Sequence, residues 1–492
     1  MRELLAAEEL AEFCVSLTES RVPATSLSAT KRLLLDYCGV SMRGAAEASG
    51  KAIGSWISEL EGAEAHGRST VIGGPSGVAP DRAAMANGSS AHSLELDDIH
   101  PEAAIHPGAP VLSAALAAGE WVDAPGLDVL VAAVVGYEVS CRIARACASG
   151  ASSPRFHSTA TCGVFGAAAA VGHILRLSSN QFVSAFGIAG SQAAGSLQFL
   201  TDGTWAKRLH AGWAAQSGFH AAMLASHGFT GPRSIFEGPR GFYRSYADVT
   251  DPNLQAFPPA ADFQILHVAI KPYAACRHSQ AAVESTLALV NDHGARADSI
   301  RQIVVHLFSA GWSTVADPAS VKRRPQTTVD AQFSIYYAIA AAILFGKLGP
   351  KEYGPEIIRS SEMRGLMDRI ECITAPELDQ NFPTHWPAVV EVIMNTDERL
   401  YNRVDVLLGD PERPLSDAEL HGKFRELTAD CIDHDQATAI IDAVENIDQH
   451  PISDLMTLLA SVSSPRTPGD SRETPDFPRG RQIPARDALD GP

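Results

Sequence analysis

Along the first 250 residues, apolar side chains recur every three to four positions, and clusters of Gly, Pro and Ser interrupt the runs. That period is the helical one, because residues three and four apart share one face of an α-helix. The pattern predicts helices over 28–44 (SATKRLLLDYCGVSMRG), 109–122 (APVLSAALAAGEWV), 126–147 (GLDVLVAAVVGYEVSCRIARAC), 161–177, 178–196 and 205–228. Alanine and glycine dominate these stretches, and small side chains let helix axes approach closely. The expectation is an all-helical domain whose main part spans 1–264.

The texture changes after DPNLQAFPPAADF (251–263). QILHVAIKPY (264–273) and IRQIVVHLFSA (300–310) carry β-branched residues in partial alternation and read as strands. Residues 331–346 (AQFSIYYAIAAAILFG) read as a buried helix, and 387–406 (PAVVEVIMNTDERLYNRVDV) as a hairpin turning near Asn395-Thr396. Residues 265–408 therefore form a smaller α+β domain, and 409–463 supply helices that return to the first domain. From 464 to 492 the chain is Pro- and Gly-rich and charged, with almost nothing to bury, so a disordered tail is expected. The fold class is mainly α with a smaller α+β domain.

Charge narrows the function. A formal net charge of −18 over 492 residues excludes a general nucleic-acid binder, whose affinity rests on clustered Lys and Arg. An anionic ligand would need cations concentrated locally against that field. The eight cysteines form no CxxC pair, which removes zinc-ribbon and iron–sulfur readings and suggests reduced thiols. The N-terminus MRELLAAEELAEFCVSL is acidic, unlike a signal peptide, and no uncharged apolar run reaches the roughly 18–20 residues that span a bilayer. A cytoplasmic protein with neither membrane nor nucleic-acid partner is expected.

One stretch concentrates titratable groups: ELDDIHPEAAIHPGAPV (95–111) places Glu95, Asp97 and Asp98 ahead of His100 and His106. Pro110 suits the first turn of a helix, so His106 sits just before a helix N-terminus, where unpaired N–H groups favour an anion. His157, in PRFHSTATCGVFGAAAA, has the same placement. Taken singly, each reads first as a capped loop histidine. Lys207 lies in apolar text (GTWAKRLHAGWAAQSG), as does Lys271 (HVAIKPYAACRHSQ), which Arg277 and His278 follow; a lysine in such a setting usually reaches an acid or an anion. Asp97, Asp98, His100 and His106 have metal-ligand chemistry but match no metal spacing such as HExxH, and no dinucleotide fingerprint, nucleophile elbow or P-loop occurs. What remains is His, Lys and Asp, the tools of proton abstraction beside a carboxylate.

These motifs resemble the MmgE/PrpD family. The resemblance lies in NGSSAHSLELDDIH…HPGAPVLSAALAAGE, FHSTATCGVFGAAAAVG, KRLHAGWAAQSG, IKPYAACRHSQAAVE and QFSIYYAIAAAILFG, in the family's order, from about residue 20 to 460. It implies a large helical domain plus an α+β lid domain, usually a homodimer, and an active site in the cleft between the domains; the residues themselves call for no cofactor and no metal. Family catalytic and binding positions fall on Asp97, Asp98, His106, His157, Lys207 and Lys271, with Tyr337 in the pocket; Arg277 and His278 would assist substrate binding. Glu95, Ile99, Tyr336 and Gln280 stand where many members have Asp, Thr, Pro and His. The substrate implied is a di- or tricarboxylate. Dehydration of a 2-methylcitrate- or alkylcitrate-type substrate is favoured; cis-aconitate decarboxylation, epimerisation and a catalytically silent carboxylate-binding scaffold are the alternatives.

Overall fold

The computed structural model describes residues 5–62, 67–147, 156–247, 249, 252–253 and 262–460. The helix Ala206–Ser226 packs with its buried side against Ser158–Ile174, Pro80–Ala91, Ser179–Gln192 and Gly108–Val122. Glycine makes the closest of these contacts possible. A Cβ on Gly88 would stand 2.9 Å from the Gly212 Cα, and one on Gly212 would stand 2.2 Å from the Met85 carbonyl oxygen. The two backbones touch, so Lys207, near the start of one helix, is carried towards His92, at the end of the other. Ala24–Ala46 and Gly126–Ala146 complete the helices that the apolar period predicts, with ends shifted by a few residues.

The smaller part holds a four-stranded mixed sheet of order β2-β1-β3-β4, with β1 at Ile300–Leu307, β2 at Ile370–Thr374, β3 at Ala388–Met394 and β4 at Arg399–Val404. β1 pairs in parallel with β2 (Ile303 opposite Ile370) and antiparallel with β3 (Ile303 opposite Val392). The expected hairpin is β3–β4, and Asp397 takes the left-handed φ of 69° at its turn. The sequence reading did not include β2: in IECIT only Ile370 is buried, so there is little alternation to see. The helix Arg277–His293 covers this sheet over β3 and β4, and Ile335–Phe345 packs on that helix.

The strand expected over 264–273 is not formed. Gln264–His267 is one turn of 3₁₀ helix, followed by a single bridge between Ile99 and Ala269. The Ile270 N–H goes to the Gly409 carbonyl and Pro272 has no N–H to give, so a ladder cannot continue. The segment is a buried loop that delivers Lys271.

At the C-terminal end, Asp417–Thr428 packs on Ala24–Ala46 and Ile452–Ala460 on Gly108–Val122. Lys423 pairs with the buried Asp36 at 2.5 Å and donates to the Leu96 carbonyl at 3.1 Å, which ties this helix to the 95–111 stretch. The tail expected from 464 onward lies outside the described residues. Among those described, no helix is long and apolar enough to cross a membrane.

Candidate active site

The chain leaves Pro80–Ala91 through His92, turns at Glu95, and enters Gly108–Val122 just after His106. Glu95 has a φ of 54°, a left-handed value that costs a non-glycine residue energy and persists only where neighbours hold it. Lys271 supplies part of that hold, donating to the Glu95 carbonyl at 3.1 Å. Within this turn His92 Nδ1 donates to Asp97 Oδ2 at 2.6 Å. His106 Nδ1 lies 2.8 Å from the Asp98 carbonyl oxygen and 3.5 Å from Asp97 Oδ2. Both acceptors lack protons of their own, so the hydrogen sits on Nδ1 and the neutral ring keeps its lone pair on Nε2.

Two further histidines close the group. The His157 ring stacks on His92 with centroids 5.4 Å apart, and its Nδ1 is 3.3 Å from Nδ1 of His210. Burial holds His106 and His157 well below the usual imidazole range; the Asp97 carboxylate opposes this at His106, and Lys207 reinforces it at both. Both rings are therefore neutral at pH 7, the state of a proton acceptor.

The lysines face the same carboxylates. Lys207 is ion-paired with Glu95 Oε1, while Lys271 Nζ stands 3.9 Å from both Glu95 Oε2 and Asp97 Oδ1. Burial works to raise both carboxyls, but at Glu95 the two lysines overcome it and bring the group to about 2. At Asp97 the facing His92, which donates to it, then His106 and Lys271 overcome it, and the pKa lies well below the usual range. Burial lowers the Lys271 ammonium, against the pull of Asp97 and Glu95. A lowered ammonium is a better proton donor. Two buried polar atoms of the group have no hydrogen-bond partner, Asp97 Oδ1 and His92 Nε2.

The family's N-terminal domain matches residues 8–255 and its C-terminal domain residues 273–449. The chain belongs to the MmgE/PrpD family. It is 28% identical over 481 residues to "Cis-aconitate decarboxylase-like protein oryM" of Aspergillus oryzae, covering 92% of this chain and 96% of that protein. It is 29% identical over 459 residues to the cis-aconitate decarboxylase of Homo sapiens (90% and 92% covered). The cis-aconitate decarboxylase of Aspergillus terreus is 25% identical over 485 residues (93% and 96%).

Of the positions singled out by the MmgE/PrpD resemblance, Asp97, His106, His157, Lys207 and Lys271 form the group just described. Asp98 does not join them through its carboxyl, which accepts from the Tyr137 hydroxyl at 2.6 Å and the Gly108 N–H at 3.0 Å. Burial raises Asp98 to about 7, and the Tyr137 bond only partly offsets it. Gly108 is required there, since a Cβ would stand 2.6 Å from both Asp98 Oδ2 and the Tyr137 oxygen. Arg277 is buried against Asp410, with Nη2 at 2.5 Å from Oδ1, and its Nε and Nη1 have no partner. His278 stacks on Phe308 at 5.7 Å and packs at a tilt against Trp386 at 4.4 Å; burial, then the charges on Arg277 and Lys271, lower it to about 3. Tyr337 donates to the Glu352 carbonyl and stacks on Tyr353 at 5.2 Å. Tyr353 is the ring whose buried hydroxyl is unpartnered and feels the Glu95 charge.

Sequence reasoning missed His92 and gave neither Glu95 nor His210 a role. The signal was present for His92, which stands five residues before Asp97 at a helix end. His100 parts from the group, with Nδ1 accepting the Ala103 N–H at 3.2 Å and its ring near His267. Two of the departures from the family pattern also have visible work. Ile99 bridges to Ala269, and Gln280 donates to the Tyr273 and Ala275 carbonyls at 2.6 and 3.0 Å, fixing the loop that carries Lys271. As for a metal, His92, Asp97 and His106 offer ligand atoms within 4.8 Å of one another. The Lys271 ammonium competes with any cation for Asp97.

Proposed function

We propose that this protein is a lyase for a di- or tricarboxylate, and that it dehydrates a citrate-type substrate. The observation that carries this reading is the pairing of two neutral histidines, the buried His106 and the half-buried His157, with the buried ammoniums of Lys207 and Lys271. The lysines, with Arg277, bind the substrate carboxylates, turning from Glu95 and Asp97 towards the ligand. His106 Nε2 or His157 takes the proton on the carbon α to a carboxylate. The electron pair left behind forms the alkene as the C–O bond breaks, and a proton from Lys271 leaves with the hydroxyl as water. Nearby cations stabilise the charge that builds on the carboxylate during this step.

A second reading, cis-aconitate decarboxylation, is favoured by the names of the relatives. Here a carboxylate leaves as CO₂ and the same acid protonates the alkene. One experiment separates the two: ¹H NMR of the EDTA-treated protein with 2-methylcitrate, citrate and cis-aconitate in turn. New vinylic signals from a citrate support dehydration. Itaconate from cis-aconitate replaces it with decarboxylation. No product from any of them removes both.

The reading extends to a cytoplasmic homodimer. Trp205, Leu209, Trp213 and Leu224 stand exposed along one side of Ala206–Ser226, an apolar stripe suited to a second copy of the chain. Light scattering of the wild type at twice the chain mass, and of Trp213→Glu at the chain mass, is the expected result; a monomeric wild type contradicts it.

A further inference from the structure

Among the described residues, every buried tyrosine but one has a partner for its hydroxyl. Tyr37 meets the Ser113 hydroxyl at 2.6 Å, and Tyr137 donates to Asp98 Oδ2 at 2.6 Å. Tyr243 and Tyr336 donate to the carbonyls of Ile143 and Ala316 at 3.0 and 3.3 Å. Tyr337, which the family resemblance places in the pocket, spends its hydroxyl on the Glu352 carbonyl. The exception is Tyr353, 4% exposed, whose hydroxyl has no hydrogen-bond partner. A buried hydroxyl left unbonded has lost its hydration with no return, so it calls for an explanation. A phenylalanine would fill the same space without that cost, so stability does not explain the oxygen.

Position does. Tyr353 ends the one-turn 3₁₀ helix Pro350–Tyr353, which is closed by the Gly349 N–H donating to Glu352 Oε2 at 2.7 Å. Just before that turn, the Leu348 carbonyl accepts the Ala274 N–H at 3.0 Å, which fastens the segment to the loop delivering Lys271. The Tyr353 ring stacks on Tyr337 with centroids 5.2 Å and planes 26° apart, so its direction is fixed. Burial first, then Tyr337 and the Glu95 carboxylate, hold the phenol well above its ordinary range. It is therefore a neutral O–H donor across the physiological range, close to the carboxylate that Lys207 pairs with.

We infer that the Tyr353 hydroxyl is a substrate-binding group of this site: it donates to the substrate carboxylate that Lys207 takes up on turning from Glu95, with Tyr337 as the stacked support behind it. This inference rests on the carboxylate-lyase reading above. It moves the pocket hydroxyl from the position that resemblance marks to one that no motif marks.

Calorimetric titration of the full chain with tricarballylate, a saturated tricarboxylate, tests it in wild type, Tyr353→Phe and Tyr337→Phe. Tyr353→Phe should weaken binding roughly 10- to 100-fold, the range for a hydrogen bond to a charged group. Its thermal midpoint should equal or exceed that of wild type, because the change deletes an unsatisfied hydroxyl; a merely structural tyrosine would do the opposite in both measurements. Tyr337→Phe should lower the midpoint, since it strands the Glu352 carbonyl. Wild-type affinity in Tyr353→Phe, or a loss of affinity confined to Tyr337→Phe, overturns the inference alone. Failure of folded wild type to bind tricarballylate overturns the carboxylate-lyase reading together with it.

Discussion

Two buried ionic clusters in this molecule differ in how completely they are satisfied. In the helix Gly126–Ala146, Arg142 donates to Glu138 Oε2 through Nη2 at 2.7 Å and Nε at 3.0 Å. The other oxygen, Glu138 Oε1, accepts the N–H groups of Gln264 and Ile265. Every lone-pair direction has a use, and the result is a clamp between a helix and the loop leading to Lys271. In the His92–Asp97–His106 cluster, by contrast, Asp97 Oδ1 and His92 Nε2 are buried without hydrogen-bond partners. Buried charge is expensive unless paired and hydrogen-bonded, so a chain seldom leaves such atoms orphaned for stability alone. The first cluster is complete within the protein, and the second has capacity left for a ligand.

The comparison can be broken at either end. The largest effect is expected for His157→Ala, which should lower turnover by roughly 10³-fold, within the usual share of general acid–base catalysis. Its thermal midpoint should stay within a few degrees of wild type. A normal rate would take His157 out of the scheme. Glu138→Ala should do the reverse, removing the acceptor shared by the Arg142 guanidinium and the Gln264 and Ile265 N–H groups and costing about 3–5 kcal/mol in urea unfolding. Its turnover per folded molecule should stay near wild type; full stability would show that the clamp is not what holds the two segments.

A smaller effect sharpens the contrast between the neighbours Asp97 and Asp98. Burial raises Asp98 from 3.8 to about 7, so its contribution to stability is complete below pH 4 and is lost as pH rises towards 7. Buried histidines such as His100, lowered to about 3, act oppositely and lose their contribution as pH falls below 6.5. The readout is thus the difference between wild type and Asp98→Asn. The variant, neutral throughout, should gain relative stability from pH 4 to 7, measured as thermal midpoints. A constant difference would mean that Asp98 does not titrate there.

Much of the helical part was legible because burial repeats at three and four, and Lys207 and Lys271 stood out because lysine is rare in apolar text. Other features were set by tertiary contacts that no local pattern carries. QILHVAIKPY has strand composition, yet its Ile270 N–H is claimed by Gly409, more than a hundred residues on. Asp97 and Asp98 are identical in sequence context, and only the placing of Tyr137 and Gly108 turns one towards structure. His92 was hidden by its ordinary surroundings of Ser and Ala. Tyr337 followed from resemblance, whereas the unpartnered hydroxyl belongs to Tyr353, which no motif marks.

The central claim is that the histidine–lysine group moves a proton at carbon beside a carboxylate. The most direct measurement is ¹H and ¹³C NMR of the protein in D₂O with 2-methylcitrate and, separately, cis-aconitate. The account predicts a new alkene from the first, or product carrying deuterium at carbon from the second, each lost in His157→Ala. Both substrates unchanged, with no deuterium at any carbon in the presence of folded wild-type protein, would contradict it.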